Sequence, residues 1–252
     1  MDHAMKITPL LIAAGVLSAA PAFARANTEP ARDPAKTEAW TPVPATVATP
    51  PGKAPSDAIV LFDGKDVSAW ESEQGGRVPW TVADGAMTIV PGSKGIRTRQ
   101  RFCDIQLHVE WRTPVQTKGF DGQNRGNSGI FLQELYELQV LDSYNNPTYA
   151  NGQAGSIYKQ AMPLVNASRA PGQWQAYDIL WKAPRFSPGG GLISPARITV
   201  LHNGVLVQDD TVLAGRTEYI GPPSYSPHAC APLYLQEHDS RVSYRNIWVR
   251  EL

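Results

Sequence analysis

Charge is scarce in this sequence and is evenly balanced. Only 18% of the 252 residues are charged, and 23 basic and 23 acidic residues give a formal net charge of zero. No basic stripe is present, which argues against nucleic acid or an anionic membrane surface as a partner. With 7 tryptophans and 9 tyrosines, the chain is better suited to an uncharged ligand.

Cysteine is equally scarce, since Cys103 and Cys230 are the only two in the chain. In an oxidising compartment they could pair and close a loop of over a hundred residues, which would stabilise the fold by about 4–5 kcal/mol in the chain-entropy model. The alternative is two buried thiols that lie far apart. The sequence leaves both open, because it does not supply the Cα–Cα distance.

The sequence also lacks an apolar run long enough to span a bilayer. Its most apolar stretch is short and runs from Leu10 to Ala20, with Lys6 before it and Ala22-Phe23-Ala24 after it. That arrangement predicts a cleaved signal peptide over residues 1–24 and export to the periplasm or the medium. No cysteine follows the run, so a lipoprotein anchor is not expected.

Residues 25–57 are rich in Pro, Ala and Thr and show little apolar periodicity, which predicts a flexible linker. From residue 58 to 252 the pattern is that of short strands. Asp84-Gly85 and Asn203-Gly204 each separate two apolar runs, as expected for hairpin turns. No long stretch keeps the 3.6-residue period of a helix, so the fold class predicted is an all-β sandwich or jelly roll.

The most informative stretch runs from Arg125 to Asp142, RGNSGIFLQELYELQVLD. Its two apolar runs are predicted to pair as strands across a connection near Glu134 and Leu135. In the second run Glu137 and Gln139 alternate with apolar residues, so they share one face of the strand. A carboxylate beside an amide on one face is typical of a strand that lines a ligand-binding site.

This stretch and its flanks carry a family resemblance. GNSGIFLQ, YELQVLDSY and NPTYANGQAGSIY, with LFDGKDVSAW before them and LYLQEH and YRNIWVREL after them, resemble the DUF1080 family over about residues 59–252. Members of that family are also called 3-keto-disaccharide hydrolases. The resemblance implies a concanavalin-like jelly roll of two antiparallel sheets, and a substrate that is an oligosaccharide or glycoside with a ketone at C3.

Three predicted strands place polar residues two apart on the face opposite their apolar residues. The pairs are His108 and Glu110, Glu137 and Gln139, and Gln236 and His238. One such strand would ordinarily be a solvated outer face. Because two of the three lie inside the family motifs, all six residues are expected to open onto one concave, sugar-binding sheet face, with Leu138, Val140 and Leu235 behind them.

The chemistry implied by the resemblance is removal of the C2 proton next to the C3 ketone, followed by loss of the group at C1. This reaction needs a general base, for which the candidates are Glu137, Glu110 and His238. Donors to the developing enolate are also needed. The residues expected to contact substrate are Arg125, Asn127, Gln139, Asp142, Tyr158, Lys159, Gln236 and His108.

Two alternatives to this chemistry remain open. Retaining glucanases of the same fold carry E-x-D-x-x-E on one strand, whereas this chain has E-x-Q-x-x-D from Glu137 to Asp142, which argues against ordinary double displacement. A carbohydrate-binding module without chemistry is the second alternative.

The sequence requires no cofactor. A divalent metal held by His108, Glu110, Glu137 and His238 is neither demanded nor excluded, because no compact ligand spacing is present. The oligomeric state is left open.

Overall fold

A computed structural model describes residues 33–252. The predicted signal peptide, residues 1–24, and the first part of the linker, residues 25–32, lie outside the described residues. The chain divides into two units, Met1–Ala45 and Thr46–Leu252. The described part of the first unit contains one turn of 3-10 helix, Pro34–Thr37.

The second unit is built from strands. In chain order they are β1 (Ile59–Phe62), β2 (Trp70–Ser72), β3 (Thr81–Ala83), β4 (Ala86–Thr88), β5 (Ile96–Phe102), β6 (Ile105–Arg112), β7 (Ser128–Leu132), β8 (Tyr136–Val140), β9 (Gln175–Lys182), β10 (Arg185–Phe186), β11 (Leu192–Ser194), β12 (Arg197–His202), β13 (Val205–Val212), β14 (Ala231–Leu235) and β15 (Ser243–Glu251). Two further 3-10 turns, Gly122–Asn124 and Ala150–Gly152, lie in the connections.

These strands form two large antiparallel sheets. The eight-stranded sheet has the order β13-β12-β9-β6-β15-β4-β3, with β1 pairing to β15 off this path. The five-stranded sheet has the order β2-β5-β14-β7-β8, and β10 and β11 form a separate ribbon. The sheets pack as a sandwich, so the all-β fold class predicted from the strand pattern is confirmed.

The core lies between the two sheets. Trp111 and Trp181 enter it from the eight-stranded sheet, and Leu132 and Leu138 from the five-stranded sheet, all completely buried. Strand β6 shows the alternation expected from its sequence, with every second residue buried. Each sheet therefore turns one face inward and presents its polar residues on the outer face.

The hairpin turns form where the sequence places them. Asp84 and Asn203 adopt positive φ angles of 52° and 53°, and each is followed by a glycine that does the same. The β7–β8 hairpin turns through Gln133 and Glu134, with φ of 54° and 59°. This turn fixes the register in which Phe131 faces Glu137 on the neighbouring strand.

The two cysteines are joined. Cys103 and Cys230 form a disulfide with a Cα–Cα distance of 4.7 Å. It lies one residue beyond the pairing of Phe102 with Ala231, where β5 meets the start of β14. The pairing alternative for the two cysteines is therefore the one that the fold adopts.

Within residues 33–252, no helix has the length and apolar character needed to cross a bilayer.

Candidate functional site

The outer face of β8 carries the two polar residues that the sequence analysis emphasised. Leu138 points into the core, so Glu137 and Gln139 point away from the eight-stranded sheet. Both are nevertheless buried, at 5% and 0% exposure. A strand whose outer face is also buried must be covered by other segments of the chain.

Two segments provide that cover along the free edge of β8. The amide of Gln139 donates to the carbonyl of Ser156, and the amide of Tyr158 donates to the carbonyl of Glu137. From a second segment, the hydroxyl of Thr217 accepts the Glu137 amide at 2.9 Å. The two segments convert an open sheet face into a walled cavity.

The cavity has a volume of about 330 Å³, within the usual range for small-ligand sites. Its lining combines polar and aromatic side chains: Asn127, Phe131, Glu137, Gln139, Tyr158, Thr217, Tyr219, Gln236 and His238. Six of these were predicted from the sequence as site residues, and the structure brings them together: Asn127, Glu137, Gln139, Tyr158, Gln236 and His238.

Glu137 is the only carboxylate among the described residues that line this cavity. Burial raises its pKa to about 8, and no described residue donates a hydrogen bond to its carboxyl group. The neighbouring position on β7 is Gly129, where an added Cβ would lie 2.6 Å from Glu137 Oε1. The carboxyl group thus occupies space that only a glycine leaves free, and it changes protonation near neutral pH.

Two amide oxygens in the cavity wall have no hydrogen-bond donor in the described part of the chain. Gln139 donates through Nε2 to Gln123 Oε1 at 3.2 Å and to Asn127 Oδ1 at 3.3 Å, which leaves its own Oε1 unpaired. The Oε1 atom of Gln236 is likewise buried and unpaired. Buried acceptors of this kind are suited to the hydroxyl groups of a sugar.

His238 and Tyr158 also line the cavity. Beyond β14 the ladder continues, since the Gln236 amide donates to the carbonyl of Gly129 at 2.9 Å. This brings the exposed His238 ring to the mouth of the cavity. Burial raises the pKa of Tyr158, whose hydroxyl lies 2.7 Å from that of Tyr149, so it stays neutral and available for hydrogen bonding.

The expectation that His108 and Glu110 share this face is wrong. Both lie on β6 in the eight-stranded sheet, where Val109 between them points into the core. They therefore face outward on the opposite side of the sandwich. Alternation correctly separates the two faces of each strand, but it does not say to which sheet a strand belongs.

The two residues instead belong to an ionic network on the outer face of the larger sheet. His108 Nδ1 lies 2.7 Å from Asp178 Oδ1, and Arg245 Nε donates to Glu110 Oε2 at 2.6 Å. Burial lowers the pKa of His108, but hydrogen bonds to Asp178 and Glu110 outweigh it and raise the pKa to about 9. The hydrogen bond with His108 is the main cause that lowers the Glu110 pKa to about 2.

Arg125 and Asp142 are also outside the residues that line the cavity, contrary to their predicted substrate contact. Arg125 Nε lies 2.9 Å from Asp142 Oδ2, and Asp142 is 1% exposed. Arg125 also donates to the carbonyl of Tyr144. The pair fixes the chain where β8 ends and the following loop begins.

Lys159 lies beside the cavity and not in its lining. Its Nζ donates to the carbonyl of Tyr219 at 2.6 Å and sits 4.1 Å from the centroid of the Tyr219 ring. Tyr219 does line the cavity, so Lys159 contacts a cavity residue without lining the cavity itself. Its predicted direct contact with substrate has no support in this geometry.

Three cavity residues were missed by the sequence analysis: Phe131, Thr217 and Tyr219. Phe131 could have been found, because it alternates with the core residues Ile130 and Leu132 on β7 and pairs with Glu137. Thr217 and Tyr219 belong to an irregular segment between β13 and β14. No periodic signal marks such a segment in a sequence.

The four residues considered as metal ligands do not assemble, because His108 and Glu110 lie on the eight-stranded sheet whereas Glu137 and His238 line the cavity at the five-stranded sheet. Elsewhere in residues 33–252, no group of three or more His, Cys, Asp or Glu side chains is arranged to hold a metal ion.

The cavity thus offers one carboxyl group that titrates near neutral pH, two free acceptors and aromatic walls. This set suits proton transfer on a neutral, hydroxyl-rich ligand.

Comparisons with known proteins identify carbohydrate-active relatives. A family model described as a 3-keto-alpha-glucoside-1,2-lyase-like domain matches residues 57–250. A crystal structure of a "putative glycosyl hydrolase" from Parabacteroides distasonis ATCC 8503 is 50% identical, with a TM-score of 0.85, and the match covers 87% of this chain and 97% of that one. A second structure with the same description and organism is 20% identical, with a TM-score of 0.55 over 78% and 94% of the two chains, and is similar in fold. No curated protein matches this chain. The chain belongs to a carbohydrate-active family, that of the 3-keto-alpha-glucoside-1,2-lyase-like domains.

Proposed function

We propose that this protein cleaves 3-keto-glycosides by elimination, with Glu137 as the general base. The observation that carries the proposal is the buried carboxyl group of Glu137 in the cavity, with its pKa raised to about 8. A base is most effective when its pKa lies near the working pH, because it is then both available and strong enough to take the proton.

The reaction follows from the acidity of the hydrogen at C2. The ketone at C3 withdraws electrons, so the Glu137 carboxylate removes the C2 proton and the electron pair moves toward the C3 oxygen. When the enolate collapses, a double bond forms between C1 and C2 and the C1–oxygen bond breaks. The leaving oxygen takes up a proton, and water can add to the enone to give the free 3-keto sugar.

Substrate binding and enolate stabilisation would come from the rest of the lining. Gln139 and Gln236 each present an unpaired acceptor oxygen to sugar hydroxyls. Tyr158 and His238 supply donors at two walls. Phe131 contributes an apolar face on which a sugar ring can pack.

A second candidate function is a carbohydrate-binding module that holds sugar without cleaving it. The same unpaired amide oxygens favour it, because they need only a ligand and no chemistry. A conventional retaining hydrolase is disfavoured, because it needs two carboxylates about 5 Å apart, whereas Glu137 is the one carboxylate among the described residues lining the cavity.

The test is turnover of a 3-keto-glucoside by Glu137→Gln. The substitution keeps the size and removes basicity, so the rate should fall by about 10²–10⁴ while binding of the sugar persists. Glu110→Gln is the matched control, because that carboxylate lies on the other sheet, and it should retain turnover. Equal turnover by wild type and Glu137→Gln would transfer the role of base to His238.

Two further results separate the candidate functions. An elimination enzyme should leave the unoxidised glycoside intact, since only the ketone acidifies C2, and efficient cleavage of that glycoside would refute elimination. Wild-type binding without turnover of any 3-keto-glycoside would instead support the binding module.

Export is part of the same proposal. The residues predicted as a signal peptide would place the reaction in the periplasm or the medium, with the mature chain starting near Arg25. N-terminal sequencing of protein from the periplasmic fraction tests this, and an uncleaved N-terminus recovered from the cytoplasm would contradict it.

A further inference from the structure

A second cavity of about 290 Å³ lies at the end of the five-stranded sheet. Gly126 and Asp239 are part of its lining, and their immediate neighbours in the chain, Asn127 and His238, line the cavity that contains Glu137. The two cavities are therefore adjacent, with the short segments 126–127 and 238–239 between them.

The two cavities differ in chemistry. The second is mostly apolar, with Pro91, Pro114 and the half-exposed ring of Phe120 along its walls. Its polar residues include Asn124 and Arg241, whose side chains have no hydrogen-bond partner among residues 33–252. The cavity that contains Glu137 instead presents three side-chain amides, three hydroxyl groups and a carboxyl.

We propose that the second cavity holds the leaving group, and that it selects glycosides whose leaving group carries a flat, apolar ring. This inference rests on the proposed function, since it assigns the part of the substrate that departs from C1. Phe120 provides a face for stacking, and Pro91 and Pro114 provide apolar walls.

Phe120 is the specificity-determining residue in this arrangement. Stacking of an aromatic ring contributes about 0.5–1.5 kcal/mol beyond burial of its area, so its loss should cost roughly tenfold in kcat/KM for a matching substrate. The effect should be confined to substrates with a ring in the leaving group.

The experiment compares 2-phenylethyl and ethyl 3-keto-glucosides, whose leaving alcohols have similar acidity. The wild type should prefer the phenylethyl substrate by about tenfold, and Phe120→Ala should remove that preference by lowering kcat/KM far more for the phenylethyl than for the ethyl substrate. Val115→Ala is the control, because that side chain is 77% exposed nearby and outside the cavity lining. It should leave both rates as they are.

The other possible outcomes would each contradict part of the leaving-group assignment. Turnover of both substrates without preference, or an equal loss for both in Phe120→Ala, would overturn the cavity assignment and leave the proposed function intact. Faster turnover of a 3-keto-disaccharide than of the phenylethyl substrate would assign the cavity to a polar ring and overturn the apolar selection.

If neither substrate is turned over, the proposed function fails. Binding measurements then test separately whether the second cavity holds a ring. Calorimetric titration of Glu137→Gln with 2-phenylethyl and ethyl glucoside then measures the preference directly. Tighter binding of the phenylethyl compound that Phe120→Ala abolishes supports the cavity as a ring-binding subsite, and equal affinities overturn it.

Discussion

Glu137 is placed where its protonation controls the proposed reaction. Its pKa of about 8 means that, in the free protein at neutral pH, most molecules carry the protonated carboxyl group. A group whose pKa is raised by burial gains its charge only as the pH climbs through that raised value. Glu137 therefore becomes able to act as a base only as the pH approaches and passes this pKa.

The first prediction follows from this sign. The kcat/KM for a 3-keto-glucoside should rise about tenfold per pH unit below pH 8 and level off above it, because only the carboxylate removes the C2 proton. Initial rates from pH 5 to pH 10, at substrate concentrations well below KM, measure the profile. A decline above pH 8 without a preceding rise would assign Glu137 the role of a general acid.

The second prediction concerns Gly129, which pairs with Gln139 on β8 and leaves room for the Glu137 side chain. An added methyl would lie 2.6 Å from Glu137 Oε1 and 2.8 Å from Phe131 Cε2, so the carboxyl group must move. Gly129 does not have a positive φ angle, so alanine costs no backbone strain there. Gly129→Ala should lower kcat by tenfold or more through the displaced base.

The control for Gly129→Ala is a position with open space. Gly75→Ala adds its Cβ where nothing lies within 4 Å, although its positive φ of 83° brings some backbone strain. It should reduce stability slightly and leave kcat unchanged. Full activity in Gly129→Ala, with the variant folded by circular dichroism, would show that the base is not held by this packing.

Much of the site was visible in the sequence at the residue scale. Period-2 alternation identified Glu137 and Gln139 on β8, and it also identified Gln236 and His238, although β14 ends at Leu235 just before them. Alternation could not identify Thr217 and Tyr219, because an irregular segment shows no periodic pattern in its sequence. Whether a carboxylate such as Asp142 points to solvent, to substrate or to an arginine depends on partners from other parts of the sequence, and alternation does not reveal these partners.

At the scale of elements, β6 shows why part of the site was misassigned. Its alternation is clear, and His108 and Glu110 do share a face. Sheet membership, however, is set by pairing with β9 and β15, which lie about 70 and 140 residues further along the chain. Two strands with the same polar pattern can thus end on opposite sides of a sandwich.

The segment that carries Thr217 and Tyr219 is held at its exposed side by Lys159. The lysine contributes a hydrogen bond to the Tyr219 carbonyl and lies over the Tyr219 ring. Interactions of this kind are worth about 1–2 kcal/mol together at an exposed site. Because Thr217 and Tyr219 line the cavity, we expect this anchoring to limit the access of water to Glu137.

The third prediction tests that anchoring. Lys159→Met removes the charge and the donor, so water should reach Glu137. The midpoint of the pH–rate profile should then fall from about 8 toward 4.5, the usual pKa of a glutamate. Lys159→Arg retains a cation, so its pH–rate midpoint should stay close to that of the wild type. An unchanged midpoint in Lys159→Met would mean that the segment keeps its position without the lysine.

At the scale of the whole molecule, the sandwich fold was predictable and its covalent closure was not. Turn residues and short strands are local signals, since each depends on a few neighbouring residues. Together these signals indicated two antiparallel sheets. The pairing of Cys103 with Cys230 depends on β5 and β14 becoming neighbours, and the sequence contains no signal for that. Once the two strands pair, the cysteines lie side by side at one end of the ladder.

The disulfide closes a long loop, since its cysteines are 127 residues apart, and this separation governs its contribution. In the chain-entropy model, opening such a loop makes the unfolded chain freer and lowers the free energy of unfolding by about 4–5 kcal/mol. Replacing both cysteines by alanine should therefore shift urea unfolding to a lower midpoint. The bond lies at the Ala231 end of β14, whereas Gln236 and His238 follow the other end, so kcat of the folded variant should be close to wild type.

Reduction provides the control for this last prediction. Wild-type protein in dithiothreitol should unfold at the midpoint of the double-alanine variant, and the variant itself should not respond to the reductant. A shift below about 1 kcal/mol would mean that the unfolded chain is already compact enough to lose little freedom to the cross-link. A large fall in kcat in the folded variant would instead mean that the far end of β14 depends on the bond for its position. The expected combination, a large loss of stability with chemistry preserved, would establish that the bond stabilises the five-stranded sheet without shaping the cavity.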